Sequence, residues 1–391
     1  MPHKATEKVE FMKLLITQVA LPIATTLLSF SMEIYLDYNA SAPLLPAARA
    51  AVVAGLDLLN ASSVHGAGRV ARQGITNARN ILANYLGIKP AQIIFTSGAT
   101  ESIATALRGT VRKNFIIGAT EHEAVRANAE GAKIIPVGKN GMIDLSALEK
   151  LLSETENAVV ALQYVNNETG TVQPVADAIA LAHKHDALIL IDAVQALGKL
   201  DLTPIKNADM IVFSAHKIGG PKGAGALILR EGLSIQPLIL GGGQEERRRA
   251  GTENVAAIMG FGAAIQNISA QLEKQTELAE WRDAMEKEIA TALPQVKIFN
   301  SAPRAANTSM IALPGVTAAT QLMNLDLAGV AVSSGSACSS GKVGPSHTLI
   351  NMGEDKNIAS CAIRISGGWN SNEKDFQEFA RIYIDMAKRL A

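Results

Sequence analysis

From Gln92 onward, short apolar runs alternate with stretches of helical periodicity, and this alternation restricts the chain to βαβ units around a mainly parallel sheet. The runs are QIIFTS (92–97), KNFIIGA (113–119), AKIIPV (132–137), NAVVALQYV (157–165), ALILIDAV (187–194), ADMIVFSA (208–215) and AGALILR (224–230). They predict an α/β large domain with a seven-stranded sheet and helices on both faces. Residues 101–110 and 175–185 read as helices, the second with Pro174 in its first turn, and a helix within 60–86 stops at Gly87. After the glycines at 241–243 the texture changes, and 253–293 becomes one long helical stretch that should bridge two domains. KIFNS (297–301), NTSMIALP (307–314), a helix at 318–325, VAVSSG (330–335), CAIRIS (361–366) and an amphipathic helix at 372–390 make a smaller α+β domain. The expected division is a large domain at 45–264 and a small domain from 32–44 and 265–391, with a loop at 334–357.

The first 31 residues stand apart. No charge falls between positions 14 and 32, and His3, Lys4, Lys8 and Lys13 precede that stretch, the outline of a signal or anchor. Glu7, Glu10 and Pro22 spoil the outline. Residues 1–31 are therefore read as an extension, packed or disordered, or as an overlong reading frame ahead of a start at Met32.

Composition removes several function classes. Lys plus Arg and Asp plus Glu number 36 each, so the chain is not built mainly to neutralise nucleic-acid phosphates. Charged residues at 18% and apolar residues at 48% describe an interior-heavy enzyme or a partly buried oligomer. The two cysteines form no CxxC pair, and no histidine stands at zinc spacing, so no metal site is expected. Thiol chemistry remains open.

The residues able to do chemistry sit where the runs end. Lys217 follows one run and precedes a glycine-rich turn, at the edge where open α/β sheets bind ligands. Held there and partly desolvated, it is either a Schiff-base nucleophile or an ordinary surface lysine. Asp192 ends another apolar run, where a buried carboxylate needs a cation such as a protonated pyridine nitrogen, unless it caps the next helix. Pyridoxal 5′-phosphate acts as an electron sink when that nitrogen keeps its proton. Gln195, three residues on, can donate to the phenolic oxygen of such a cofactor. In TSGATES the backbone amides of Gly98, Ala99 and Thr100 and the Thr100 hydroxyl open a helix, an anion site or a plain cap. His122 could lie over a planar ring or bond within its loop, and Asn166 and Asn167 bring amides to the same edge or make a turn. Cys338 lies in a Gly/Ser-rich segment that suits a reactive thiol, whereas Cys361 begins an apolar strand and reads as inert core. Arg364, inside a strand pattern, suits a substrate carboxylate or a structural ion pair. Arg247, Arg248 and Arg249 form a local basic cluster suited to a partner.

Nine motifs in order carry a resemblance: YLDYNASAP (35–43), NASSVHGAGR (60–69), TSGATES (96–102), TEHEAV (120–125), VNNETG (165–170), DAVQ (192–195), SAHKIGGPKG (214–223), RRAGTEN (248–254) and SSGSACSSG (333–341). From position 34 to about 390 the chain resembles the NifS-like cysteine desulfurases, in the class V aminotransferase family and the PLP-dependent fold-type I superfamily. The resemblance implies that Lys217 carries the cofactor as a Schiff base and shuttles the substrate's alpha proton. His122 stacks on the ring, Asp192 pairs with its nitrogen, Gln195 with its phenolic oxygen, and Asn167 with cofactor and substrate. Ala99, Thr100, Ser214 and His216 hold the phosphate, with Thr252 reaching it from the other subunit of a homodimer, and Arg364 clamps the substrate carboxylate. L-cysteine would become L-alanine while Cys338 takes the sulfur as a persulfide, for delivery to an acceptor protein in iron–sulfur assembly or thiolation. A cytoplasmic location, no membrane association and no direct nucleic-acid binding belong to the same expectation. Selenocysteine lyase and other class V enzymes share the lysine, aspartate and phosphate residues, and a non-catalytic relative is the remaining alternative. Three departures stand out: Gln244 where relatives commonly carry histidine, Gly368–Trp369 in place of a Gly-Arg pair, and a short tail after the last helix that puts scaffold binding in doubt.

Overall fold

The computed structural model describes residues 34–300, 303–335 and 344–390. The chain enters through β1 (Ile34–Tyr35), and helices α1 (Pro46–Leu56) and α2 (Gly66–Leu86) lead to the central sheet. There follow β2 (Ile93–Thr96), α3 (Ala99–Gly109), β3 (Asn114–Gly118), α4 (Glu123–Arg126), β4 (Lys133–Ile135) and α5 (Leu145–Ser153). Then come β5 (Ala158–Gln163), α6 (Val175–Lys184), β6 (Leu188–Asp192), β7 (Met210–Ser214) and β8 (Gly225–Leu229). The seven strands lie in the order β2-β8-β7-β6-β5-β3-β4. All neighbours pair in parallel except β8, which runs antiparallel to β2 and β7.

Every residue of β5, β6 and β7 is buried, as the near-continuous apolar runs require when helices cover both faces of a parallel sheet. Alternate residues feed two cores. Val160, Ile189, Ile191 and Phe213 pack with Leu82, Ile179 and Phe261 from helices on one face. Val159, Leu190 and Val212 pack with Ile103, Leu107 and Val125 on the other. Gly87 ends α2 in the left-handed conformation, φ 67°, with its N–H donating to the carbonyls of Ala83 and Asn84.

The stretch 253–293 is two helices, α7 (Val255–Ile265) and α8 (Ile268–Ala292), bent by 56°. At the break the Asn267 side-chain amide donates to the Ala263 carbonyl at 2.9 Å, a local bond that competes with the helix ladder. α7 contributes Phe261 and Ile265 to the large-domain core, whereas Leu278, Met285 and Ile289 of α8 enter a separate core. That core is shared with Ile34 and Leu36 from the chain's start and with Phe376, Phe379 and Tyr383. The remaining elements are β9 (Lys297–Ile298), β10 (Thr308–Ala312), α9 (Ala318–Leu327), β11 (Val330–Ala331), β12 (Ser333–Ser334), α10 (His347–Asn351), α11 (Lys356–Ser360), β13 (Ala362–Ser366) and α12 (Glu373–Leu390). The small sheet is ordered β12-β13-β10-β9 and is antiparallel throughout, and β1 pairs in parallel with β11.

Other local readings change. Pro174 is the residue before α6 and not part of its first turn. The segment 334–357 contains α10, whose N-cap Ser346 accepts from the Leu349 amide. Cys361 caps α11 ahead of β13 rather than starting the strand, and its side chain is buried. Residues 1–31 lie outside the described residues, and no single helix among the described residues is long and apolar enough to cross a membrane.

Candidate active site

A cavity of about 550 Å³ opens at the carboxyl ends of the parallel strands. Of the predicted site residues, Ala99, Thr100, His122, Asn167, Asp192, Gln195, Ser214, His216, Lys217 and Arg364 line it. Thr252 is exposed and does not line it, and Cys338 lies outside the described residues.

Lys217 sits in a short turn straight after β7, so the strand fixes where its side chain starts. Its Nζ donates to the carbonyls of Asn39 at 2.6 Å and Ala40 at 2.9 Å. Asp192 is the last residue of β6, and its Oδ1 accepts from the Val194 amide at 3.0 Å. Burial pushes the Asp192 carboxyl above its ordinary range, against the opposing effects of that amide and of the His122 and Lys217 charges. A cation facing Asp192 would relieve the cost of its burial. His122 precedes α4 and accepts the Ala124 amide on Nδ1 at 3.1 Å, so in the neutral ring the proton sits on Nε2.

The anion end is shaped by close backbone packing. Gly98 caps α3 without any side-chain hydrogen bond, and a Cβ on the neighbouring Gly225 would stand 2.6 Å from the Gly98 Cα. Glycine at both places lets the loop lie flat on β8 and leaves the first amides of α3 facing the cavity beside Ser214 and Lys222. Glu101 in the same turn accepts the Ser97 amide and is gripped by Arg249 at 2.9 and 3.2 Å. Burial raises the Glu101 carboxyl, but the bonds from Arg249 and Ser97 outweigh it and hold it below the usual range. Arg248 donates to the carbonyls of Ala91 and Ile93, so two of the three arginines at 247–249 are bonded within the fold. His216 Nδ1 lies 3.2 Å from Ser41 Oγ, and burial together with the Lys217 and Lys222 charges pushes its pKa down to about 4. It is a neutral hydrogen-bonding group at neutral pH.

The small domain supplies the opposite wall. Arg364 on β13 is only 2% exposed, and it donates to Asp37 Oδ1 at 2.7 Å and to the Asn167 carbonyl at 3.0 Å. The structural ion pair expected as one reading is present, and the guanidinium also lines the cavity, with Nε buried and without a hydrogen-bond partner. Behind Asn167, buried Glu168 accepts the hydroxyls of Ser346 at 2.5 Å and Thr348 at 3.0 Å. Burial drives the Glu168 carboxyl up to about 7, despite those hydroxyls and the Arg364 and His122 charges.

Sequence reasoning assigned no role to the residue at the centre of this web. Asn39 receives Gln195 Nε2 and Lys217 Nζ on its carbonyl, Lys199 Nζ and Asn307 Nδ2 on its Oδ1, and donates its side-chain amide to Thr308 and the Asn167 carbonyl. Its place in the motif YLDYNASAP was the only signal. Glu168, Lys199 and Lys222 were passed over for a similar reason, since no periodicity marks a polar side chain turned into a seam.

These groups fit pyridoxal 5′-phosphate. The flattened, uncapped α3 terminus suits the phosphate, the strand-end carboxylate raised by burial suits a pyridinium, and a lysine reaches the same space.

The sequence matches the class-V aminotransferase family over residues 34–379. It is 37% identical over 364 residues to the cysteine desulfurase IscS of Dictyoglomus turgidum, covering 88% of this chain and 91% of that one. A cysteine desulfurase of Cereibacter sphaeroides is 39% identical over 352 residues, covering 85% of this chain and 90% of that protein. Among solved structures, a NifS-like protein from Rickettsia africae superposes with a TM-score of 0.83 at 32% identity, over 91% of this chain and 99% of that one. SspA in complex with cysteine superposes with a TM-score of 0.74 at 28% identity, over 85% of this chain and 98% of that one.

Proposed function

Because the chain belongs to the class-V aminotransferase family, we propose that it is a pyridoxal 5′-phosphate-dependent cysteine desulfurase that passes the sulfur of L-cysteine to Cys338. The observation that carries this reading is one cavity that gathers a lysine, a strand-end carboxylate and a buried arginine. Similarity to cysteine desulfurases at 37% and 39% identity, and to a protein solved with cysteine, supplies the substrate class.

Lys217 would hold the cofactor, with Thr100, Ala99, Ser214 and His216 around its phosphate, Asp192 at the ring nitrogen, Gln195 at the phenolic oxygen and His122 over the ring. The bound cofactor supplies a sink for the electron pair left when the substrate's alpha proton departs. Asn167 and Arg364 would orient the substrate, with its carboxylate taken by the guanidinium where Arg364 lines the cavity. Lys217 moves the proton at the alpha carbon. The Cys338 thiolate then bonds to the substrate sulfur as the carbon–sulfur bond breaks. L-cysteine and one thiol become L-alanine and one persulfide, so atoms balance without an outside oxidant.

A homodimer is part of the reading, with Thr252 of the partner subunit completing the phosphate site. Exposed Leu56, Leu59, Val64 and Leu240 support a partner-covered surface. The persulfide passes to an acceptor protein, and a reactive thiol fits the reducing cytoplasm. The test is alanine and sulfide formation from L-cysteine by the parent chain and by Cys338→Ala. Sulfur release should fall at least about 100-fold in the variant while it still binds the cofactor. Full-rate sulfur release by Cys338→Ala would sink the assignment.

A further inference from the structure

One ionisable group at the cavity's edge has no part in the reaction just described. Lys199 is 8% exposed and lies one turn beyond Gln195, after Gly198 at φ 73°. Its Nζ donates to Gln195 Oε1 at 2.6 Å and to Asn39 Oδ1 at 2.8 Å. Among the described residues it makes no ion pair. The nearby charges are the cations Lys217 and Arg364, the latter already held by Asp37. A void of about 10 Å³ bordered by Lys199, Lys217, Tyr38 and Gln275 is no larger than one water, so a counter-ion has no room there. Burial, reinforced by the two cations, holds the Lys199 amine well below the lysine range. A neutral amine has two N–H groups, and the two acceptors match them.

The bonding pattern settles the orientation of an amide. Gln195 Oε1 and Nε2 differ little in shape, and only their partners decide which faces where. The Asn39 carbonyl can only accept and so takes Nε2, at 2.9 Å, which leaves Oε1 to receive an N–H of Lys199 at 2.6 Å, while the other N–H of the amine goes to Asn39 Oδ1. Both partners fit the same orientation, and the second Nε2 hydrogen is left for the cavity that Gln195 lines.

We propose that Lys199 is a positioning residue for the cofactor: it locks Gln195 and Asn39 so that Gln195 presents N–H, and never C=O, to the oxygen of the bound ring. The inference rests on the reading above and adds a group to it. Without Lys199, Oε1 loses its partner and only the Asn39 carbonyl still holds the amide, so the N–H offered to that atom is less firmly placed.

The test is a pH titration of the visible absorbance of the holoenzyme, with the cofactor dissociation constant measured alongside. Lys199→Met should move the titration midpoint by about one pH unit, the scale of one lost hydrogen bond, and weaken cofactor binding about tenfold. Gln195→Leu should shift it similarly, and adding Lys199→Met to Gln195→Leu should produce no further shift. Lys199→Gln, a neutral side chain that can still donate to Oε1, should stay nearer the parent than Lys199→Met. Where Lys199→Met does not accumulate, the pair Gln195→Leu and Lys199→Gln decides: equal shifts in both overturn the proposal. An unmoved midpoint in folded Lys199→Met, or a full extra shift on the Gln195→Leu background, also overturns it. A parent chain without a visible cofactor band would instead sink the functional reading itself.

Discussion

On the large-domain side of the cavity, Asp192 is buried with one backbone amide for company, and Lys217 is held by two backbone carbonyls. On the small-domain side, Arg364 is held by the Asp37 carboxylate and a carbonyl, and Glu168 by two hydroxyls. The first wall is made by strand ends, so each charge starts where its own strand stops; Asp192 takes an amide two residues on, while Lys217 reaches the carbonyls of Asn39 and Ala40 across 178 and 177 positions. The second is a seam, where Asp37 and Arg364 come from segments 327 positions apart and Glu168 reaches Ser346 across 178. The two walls differ in the partners of their charges: the Asp192 carboxylate accepts one backbone amide, whereas the Arg364 guanidinium is already paired with the Asp37 carboxylate.

Substitutions on the two walls should therefore separate in kinetics. The largest effect belongs to Asp192→Asn, which should lower kcat about 1000-fold with little change in KM for cysteine, because it removes charge stabilisation needed as the reaction proceeds. Arg364→Lys comes next. It keeps the charge but loses the planar fork, and KM should rise about 30-fold with kcat changed less. Steady-state kinetics on both variants breaks the comparison if Arg364→Lys acts on kcat alone or Asp192→Asn on KM alone.

The smallest effect concerns the seam's own stability. Folded Glu168 keeps its proton up to about pH 7, whereas an unfolded glutamate releases it near 4.5. The folded chain thus binds more protons within that window, and its stability falls as pH rises through it. Glu168→Gln mimics the protonated state at every pH. Relative to the parent, it should gain about 2 kcal/mol of stability between pH 4.5 and 7, read from urea unfolding at both ends. A parallel pH profile for the two proteins would show that Glu168 titrates normally in the seam.

How much of this could be read in advance follows the same divide. The seven sheet strands appear where the apolar runs placed them, and Lys217, Asp192 and Ser214 stand at or next to strand ends as spacing alone required. The break between α7 and α8 was missed because an asparagine bond to a carbonyl four residues back leaves no mark on apolar periodicity. α10 and α11 were missed because five-residue helices are too short to show a repeat. Arg364 was recognised as a buried cation, but its partner could not be chosen between substrate and protein until Asp37 was seen beside it.

By itself the sequence determined the parallel sheet, the order of its strands' chemistry and the family of motifs at their ends, because apolar periodicity and strand-end placement are local properties. Only the tertiary structure decided which groups share the seam: that Asn39 ties Lys217, Lys199 and Gln195 together, and that Glu168 backs the wall carrying Arg364. Those contacts join residues far apart in the chain. Their energies come from desolvation and hydrogen bonding within a buried space that does not exist until the two domains close on it.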